Sequence, residues 1–444
     1  MINSIKKLIP VGWLAIYHKI LAVTANYYYG RPSEQLIVIG VTGTNGKTST
    51  CSFIAQILES AGHKVGLAST ALFKVGDREW LNDKKMTMLG RFALQKLLRE
   101  MVGAGCQYAV IETSSQGVEQ FRHLGIHYDV GVFTNLTPEH IEAHGGFENY
   151  KKAKLKFFKH LEKLLVKELN GRKITKAIIV NGDDKYAAEF LNFQINQKIT
   201  YGLDADCQLK AEKIDYKSDG LGFAVGGLEF NLKLFGKFNI YNCLAAIGVA
   251  QSQGIDLAVC KSGLEKITAM PGRMEFVATG SSSAKSTADK HDFKVLVDYA
   301  PEPESMRQLF ETIKKHNLAS GKIIHVFGSC GGGRDVSRRP ILGELSAQNA
   351  AIQIVTNEDP YDDDPQLIID QVAEGAIKAG RKLGENLFKI ADRREAIRFA
   401  LSLASAGDLV LLTGKGSEQA ICVAGGRKIP WDEREVTREL LKTL

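Results

Sequence analysis

The chain has 444 residues, 44% of them hydrophobic, and a formal net charge of +7 at neutral pH. That length provides for two or three domains with sizeable cores. The mild positive charge suits anionic small substrates, and the absence of an arginine-rich tail or basic–aromatic repeat argues against nucleic acid.

Residues 1–30 place Lys6 and Lys7 ahead of an apolar stretch that His18 and Lys19 interrupt. Neither apolar piece approaches the about 20 residues of a membrane span, so no integral span is expected. No small-residue cleavage site marks a secretory signal. Trp13, Ile16, Tyr17, Ile20 and Leu21 share one face of an amphipathic helix. That face is expected to pack on the protein itself, with a weak membrane-surface contact as the alternative.

The stretch 36–61 carries the strongest local pattern in the chain. Leu36 to Val41 reads as a buried strand, a glycine turn comes next, and Phe53, Ile54, Ile57, Leu58 and Ala61 recur at helical spacing. Strand, glycine turn and helix gather backbone N–H groups and a helix N-terminus around one point, where they can hold phosphate. Gly43, Thr44, Asn45, Gly46, Lys47, Thr48 and Ser49 are the candidate nucleotide contacts. Lys47 reaches the outer phosphates as a point charge and the Thr48 hydroxyl can ligate Mg²⁺. The strict Walker pattern requires a glycine where Val41 stands, so Gly40, Gly43 and Gly46 form a variant spacing. A glycine turn that binds nothing is the alternative.

Next come a strand in HKVGLAST, a loop rich in glycine and charge, and a helix from about Arg91 to Met101. Residues 107–112 form a short buried strand that delivers Glu112 and the polar run Thr113-Ser114-Ser115-Gln116. A strand over 129–135 ends in the turn TPEHIEAHG, and a lysine-rich amphipathic helix spans 149–169. KAIIVNGDD and QKITYGLD read as strands, and residues 207–235 alternate as antiparallel strands with turns at 218–222 and 226–227. A helix over 239–253 precedes a domain boundary near Met270–Pro271, and ATGSSSAKSTADKHD reads as a loose surface loop.

The alternation then starts afresh. The strands are KVLVDYA, KIIHVFG, IQIVTN and DLVLLTG, with helices near 303–316, 340–349 and 365–380. Such alternation implies parallel sheets with helices on both faces, an α/β class. The seven cysteines, at 51, 106, 207, 243, 260, 330 and 422, include no C-x-x-C pair. That pattern fits free thiols in a reducing cytoplasm and argues against zinc.

In open α/β sheets ligands sit at the carboxyl ends of strands, where Lys47, Thr48, Glu112 and the run from Asn135 to His140 cluster. Glu112 and His140 suit a Mg²⁺ site, the carboxylate as a hard oxygen ligand and the imidazole as a less usual one. A buried structural glutamate is the alternative for Glu112, and His144 competes with His140.

GVTGTNGKTST, IETSSQGVEQFRHLG, FTNLTPEHIEAHG, NYKKAKLKF, FNIYN, PGRME, VDYA and LLTGKGSE stand in the order seen in the Mur ligases. From about residue 36 to the C-terminus the chain resembles that family, most of all its branch that adds the third amino acid in peptidoglycan synthesis. The resemblance implies a central P-loop-type, mostly parallel sheet domain over 36–270 and a Rossmann-like α/β domain over 271–444, after a short helical segment over 1–35. It implies ATP-dependent amide formation on UDP-N-acetylmuramoyl-L-alanyl-D-glutamate through an acyl phosphate, with ATP and two Mg²⁺ ions.

By the same resemblance Lys47 and Thr48 hold phosphates and the first metal, and Glu112 and His140 complete the metal shell. Lys154 matches the family lysine that becomes carbamylated, although in a lysine-rich helix it would otherwise read as one more solvated cation. Asn239, Asn242, Arg273 and Asp298 match nucleotide-side contacts near the domain junction. Thr87, Ser114, Gln120 and Arg122 match positions that hold the muramoyl-dipeptide. Arg334 and Asp335 conform to the family's glycine–arginine loop, for which a plain surface turn is the alternative. Gly414 and Glu418 lie in the terminal TGKGSE block.

Three departures qualify the match. Only some 35 residues precede the first strand, so a separate uridine-gripping domain is expected to be reduced or absent. An acceptor without the nucleotide, even a lipid-linked one, stays open. Where family enzymes that add diaminopimelate carry Asp-Asn-Pro-Arg, this chain has Glu358-Asp359-Pro360-Tyr361. Tyr361 cannot pair with a distal carboxylate, whereas Glu358, Asp359 and Glu418 could receive an ammonium, so a lysine- or ornithine-like diamine is expected. Pro301 and Ser417 replace two family histidines, which is expected to alter affinity and to leave the chemistry intact. The alternatives are a sibling ligase acting on a folate or lipid-linked muropeptide, or a nucleotide-binding scaffold without catalysis.

Overall fold

The computed structural model describes residues 11–138, 144–204, 206–277 and 292–444. Two large sheets organise them. The first has nine strands in the spatial order Leu209–Lys210, Gln197–Gly202, Ala177–Asn181, Val130–Phe133, Ile37–Thr42, Tyr108–Glu112, Val65–Ala68, Leu72–Val75 and Arg78–Leu81. All neighbours run parallel except the last two strands, which add on antiparallel.

The near-continuous apolar run of Ile37–Thr42 reflects burial on both faces. Ile39 and Val41 enter one core while Leu36 and Val38 enter the other. Its register sets Val41 beside Glu112 and Thr42 beside Phe133. Three strands thus end level, and their next residues share one edge of the sheet.

Two glycines bring a helix close to that edge. A Cβ at Gly40 would meet Phe157 and Tyr128, and one at Gly131 would meet Leu161 and Phe158. The bare backbone lets the helix Phe147–Lys163 lie against the sheet, and this proximity carries Lys154 to the glycine loop. On the other face the helix Lys47–Ser60 packs against Lys237–Ser252, which is buried along almost all its length.

The second sheet has six strands in the order Glu275–Val277, Lys294–Asp298, Leu409–Thr413, Ile323–Phe327, Ile352–Val355 and Leu387–Lys389. Glu275–Val277 pairs antiparallel and the rest are parallel. Helices cover both faces over separate apolar clusters. A three-stranded antiparallel sheet, Glu212–Lys217, Gly220–Val225 and Leu228–Leu232, lies between these sheets in the chain and forms as the alternation predicts.

Several elements differ from the sequence reading. The loop rich in glycine and charge is a hairpin, Leu72–Val75 with Arg78–Leu81, turning at Gly76 with φ +59°. Its alternation is hidden because Lys74 occupies a half-buried position, paired with Glu59. The lysine-rich helix stops at Lys163 rather than 169, because Leu164 is extended and residues 168–173 turn back through Asn170-Gly171, both at positive φ. Asn-Gly is a strong hairpin signal.

The first helix, Val11–Tyr28, packs through small residues. Ala22 and Ala25 are buried, and Gly125 allows the Ala22 carbonyl to approach. The face expected to pack inward points outward instead, with Trp13 71% and Tyr17 56% exposed. Helices Leu257–Glu265, Arg393–Leu403 and Glu433–Leu441 and the hairpin Ala420–Val423 with Arg427–Pro430 add to the elements read from the sequence. The polar segment 278–291 and His140 lie outside the described residues.

Candidate active site

A cleft of about 680 Å³ opens between the edge of the first sheet and the second sheet. The glycine loop forms its floor. Gly46 caps the adjoining helix at φ +81°, a conformation that favours glycine, and a Cβ there would meet the Asn242 side chain. The loop is braced from behind. Thr44 N–H donates to the Asn135 carbonyl at 2.8 Å, Asn45 N–H donates to Asn135 Oδ1 at 2.8 Å, and the Thr44 and Tyr150 hydroxyls meet at 3.0 Å. Asn242 accepts from the Thr50 hydroxyl at 3.3 Å and donates to Asn239 Oδ1 at 3.1 Å. Both asparagines thus support the loop from the buried helix.

Lys47 folds back over the loop, donating to the Thr44 carbonyl at 2.6 Å and the Gly43 carbonyl at 3.1 Å. Glu112 is buried at the end of its strand. It accepts from the Thr48 hydroxyl at 3.0 Å and from the Thr70 N–H at 2.7 Å. Two oxygens, one hydroxyl and one carboxylate, therefore stand side by side at the helix N-terminus. That donor set suits a hard cation. Lys154 is 1% exposed, donates to the Gly43 carbonyl at 2.6 Å and lies 4.3 Å from the centre of the Tyr150 ring. It is no solvated surface cation. His144 approaches Ser115 Oγ at 3.1 Å and Glu119 at 3.2 Å, outside the cleft lining.

One wall of the cleft carries Thr87, Ser114 and Arg122. Thr87 is hydrogen-bonded to Thr70 at 3.0 Å, and Ser114 caps the short helix Ser115–Glu119. Gln120 stands behind this wall and accepts from Arg122 at 2.6 Å, so it orients the guanidinium. Arg122 also donates to the Met88 carbonyl.

The opposite wall belongs to the second sheet. Asp298 accepts from the Met274 and Ala300 N–H groups at 2.7 and 2.8 Å, fixing the junction, and burial raises its carboxyl above the usual range. Arg273 lies over the Tyr299 ring at 4.2 Å. Arg334 faces the cleft, and Arg338, which the sequence reading leaves out, pairs with Glu302 beside it.

Glu358, Asp359, Gly414 and Glu418 sit together behind this wall rather than on the cleft lining. Glu358 is fully buried, accepts from the Cys330 thiol at 2.8 Å, and is pushed up by desolvation. Gly414, at φ +102°, leaves room for that carboxyl. Asp359 and Glu418 do not wait empty for an ammonium. Lys415 donates to both at 3.0 and 2.8 Å, and Lys85 lies 2.6 Å from Asp359 and 3.1 Å from Glu418. Lys85 had no signal in the sequence beyond standing two places before Thr87. Among the described residues no group of three metal-ligating side chains is preassembled.

The chain is similar to known proteins along almost its whole length. Residues 41–250 match the Mur ligase middle domain and residues 272–416 the Mur ligase, glutamate ligase domain. The chain is 38% identical to a UDP-N-acetylmuramyl-tripeptide synthetase of Roseiflexus sp. (strain RS-1), over 96% of this chain and 82% of that protein. A solved structure of a UDP-N-acetylmuramoyl-L-alanyl-D-glutamate–2,6-diaminopimelate ligase is 29% identical with a TM-score of 0.58, covering 92% of this chain and 78% of that one. Mycobacterium tuberculosis folylpolyglutamate synthase shares the fold at 14% identity, with a TM-score of 0.68 and 95% of each chain covered.

Proposed function

This chain belongs to the Mur ligase family, and from that premise we propose that it joins an amino acid, a diamine of the lysine class, to UDP-N-acetylmuramoyl-L-alanyl-D-glutamate at the expense of ATP. The observation that carries the reading is the shared cleft. A phosphate-binding loop with Lys47, Thr48 and Glu112 faces an arginine-bearing wall across one space. A sibling reading with a nucleotide-free or lipid-linked acceptor uses the same machinery.

In the proposed reaction the acceptor carboxylate attacks the γ-phosphate of ATP. The amine then attacks the acyl phosphate and phosphate leaves. Phosphoryl transfer is governed by positioning and charge neutralisation, and the residues supply both. Backbone N–H groups of the loop cradle the phosphates, with Lys47 swinging from its loop carbonyls onto the outer ones. Thr87, Ser114 and Arg122 hold the acceptor so that its carboxylate meets the γ-phosphate, and Arg122 pairs in a bidentate fashion with an acidic group. Asn239, Asn242, Arg273 and Asp298 keep the nucleotide side of the cleft in register. Arg334 offsets charge on the amino-acid side, where Glu358 supplies a buried acceptor. Closure of the walls keeps water from the acyl phosphate. Mg²⁺, two ions in this reading, supplies charge neutralisation when bound, at Thr48 and Glu112, with His140 as a further ligand.

Lys154 bears on that metal site. An ammonium beside a divalent cation is repelled by it, whereas a carbamate on the same nitrogen supplies oxygen ligands. Carbamylation of Lys154 is therefore part of the proposal. Activity is expected to fall in buffers stripped of carbon dioxide and to return with bicarbonate; activity indifferent to bicarbonate would remove the carbamate from the account.

The reading is tested by ATP-dependent phosphate release with the acceptor and a panel of lysine, ornithine, diaminopimelate and neutral amino acids. Release that requires both acceptor and a diamine is expected. Incorporation of diaminopimelate well ahead of lysine would refute the lysine-class assignment, and release without any amine would refute ligation.

The helix Val11–Tyr28 adds a weaker contact. It carries no acidic residue in its terminal turns, and exposes Trp13, Ile16, Tyr17, Ile20, Tyr27 and Tyr28 beside Lys19. Exposed aromatics with cations fit an anionic lipid surface. Co-sedimentation with phosphatidylglycerol vesicles, reduced by Trp13→Ser and Ile20→Ser together, is expected. Equal recovery in the supernatant with and without vesicles would refute it. No helix among the described residues is long and apolar enough to cross a membrane.

A further inference from the structure

The contact made by Lys85, on the cleft lining, joins the two halves of the cleft. Lys85 sits in the loop after the hairpin of the first sheet, at φ +53°, immediately before the cleft residues Met86 and Thr87. Its side chain is only 5% exposed, and the ammonium lies 2.6 Å from Asp359 Oδ2, 2.8 Å from the Ala420 carbonyl and 3.1 Å from Glu418 Oε2, all three on the far side of the cleft. Two of its three donors are hydrogen-bonded, to Asp359 and to the Ala420 carbonyl, and Glu418 adds an ion pair. Lys415 binds the same three residues from within its own half, at 3.0 Å to Asp359, 2.8 Å to Glu418 and 2.8 Å to the Ala420 carbonyl.

The result is a closed set of two cations and two carboxylates. Burial alone would lower the Lys85 ammonium, but Glu418 and Asp359 outweigh it and hold the group above its ordinary range. Burial pushes the Asp359 carboxyl up, and Lys415 and Lys85 more than reverse that. Lys428 strengthens the same junction by donating to the Lys84 carbonyl at 3.2 Å. The halves are also tied by His316, whose Nε2 accepts from the Gly236 N–H at 3.0 Å while its Nδ1 contacts the Lys217 carbonyl at 2.7 Å.

Burying a lysine against two carboxylates adds little net stability, because desolvation offsets the attraction. We propose that Lys85 is an intramolecular stand-in for the distal ammonium of the incoming amino acid. It closes the two halves in the absence of that substrate and competes with a substrate ammonium, which reduces the preference for cationic over neutral side chains. This rests on the amino-acid ligation proposed above and assigns the side-chain end of that site. Lys415, at 0% side-chain exposure, stays in place, whereas Lys85 is carried on a cleft loop and can withdraw toward solvent. A substrate ammonium must displace it, so Lys85 lowers the advantage of a diamine and imposes ordered closure.

The test compares lysine with its neutral isostere norleucine in wild type, Lys85→Met, Lys85→Gln and Lys85→Arg. Any general cost of lost closure affects both amino acids and cancels in the ratio of their kcat/KM values. The ratio is expected to rise about tenfold in the Met and Gln variants, the scale of one charge-assisted hydrogen bond, and to stay near wild type in the Arg variant. Spin labels at the exposed Asp77 and Lys382 report closure independently. Without ligands, the interhalf distance is expected to lengthen in Lys85→Met and Lys85→Gln. An unchanged or lower ratio overturns the stand-in role, and an unchanged distance distribution overturns the closure role. If wild type ligates neither amino acid, the ligation reading and the stand-in built on it fail together, whereas the distance measurement still judges the latch alone.

Discussion

Lys47→Ala is expected to lower kcat about a thousandfold, the loss typical of removing a pre-placed donor from a site of developing charge, while stability changes by less than about 0.5 kcal/mol. In the resting structure Lys47 is part-buried and its ammonium is bonded only to carbonyls of its own loop, so its removal leaves no opposite charge unpaired, and the Gly43 carbonyl keeps Lys154 as a donor. In the reaction the same ammonium is the charge that accompanies the phosphoryl group as it transfers. Steady-state kinetics beside a thermal melt read both quantities. A variant that melts as wild type does and retains more than about a tenth of its rate would remove Lys47 from the phosphate role.

Glu112 gives the second large effect, with the opposite balance. Its carboxylate is buried and satisfies the Thr48 hydroxyl and the Thr70 N–H at once. Glu112→Ala leaves both donors without an acceptor and creates a cavity, a cost of about 3 kcal/mol. Glu112→Gln keeps the volume and one acceptor oxygen and is expected to fold. Its kcat is expected to fall at least about a hundredfold, and the Mg²⁺ concentration for half-maximal rate to rise. A Gln variant with an unchanged Mg²⁺ requirement would return Glu112 to a purely structural role, in which it only braces Thr48 and Thr70.

Much of this site is legible in the sequence because its parts are local. The glycine loop, Lys47 and Thr48 are contiguous, and the strand that precedes them has the continuous apolar pattern of burial on both faces. Glu112 and Asn135 stand at the ends of comparable strands, so a parallel sheet brings them level without further information. Gly40 and Gly131 are less transparent. Their role is to let Phe157 and Phe158 seat, which requires knowing which helix crosses them.

The parts that escaped are non-local. Lys85 and Asp359 are separated by 274 positions, and nothing in Asp-Lys-Lys-Met announces a partner across the cleft. Arg338 reads as one of two arginines before a proline, and only the fold brings it to Glu302 and the cleft. The outward face of the first helix misled for a different reason. Periodicity identifies an apolar face but does not say whether the protein covers it, and here Ala22 and Ala25 made the closer fit. Lys154 shows the reverse case. A lysine-rich helix suggests solvent, whereas the Gly40 contact pulls this one lysine into the core.

In the proposed reaction this cleft activates a carboxylate through an acyl phosphate before an amine attacks it. The direct measurement is the fate of heavy oxygen placed in the acceptor carboxylate during turnover with ATP and lysine. One labelled oxygen is expected in the released inorganic phosphate, accompanied by a product heavier by the added residue. Unlabelled phosphate released alongside that product would contradict it, because the carboxylate would then never have bonded to phosphorus.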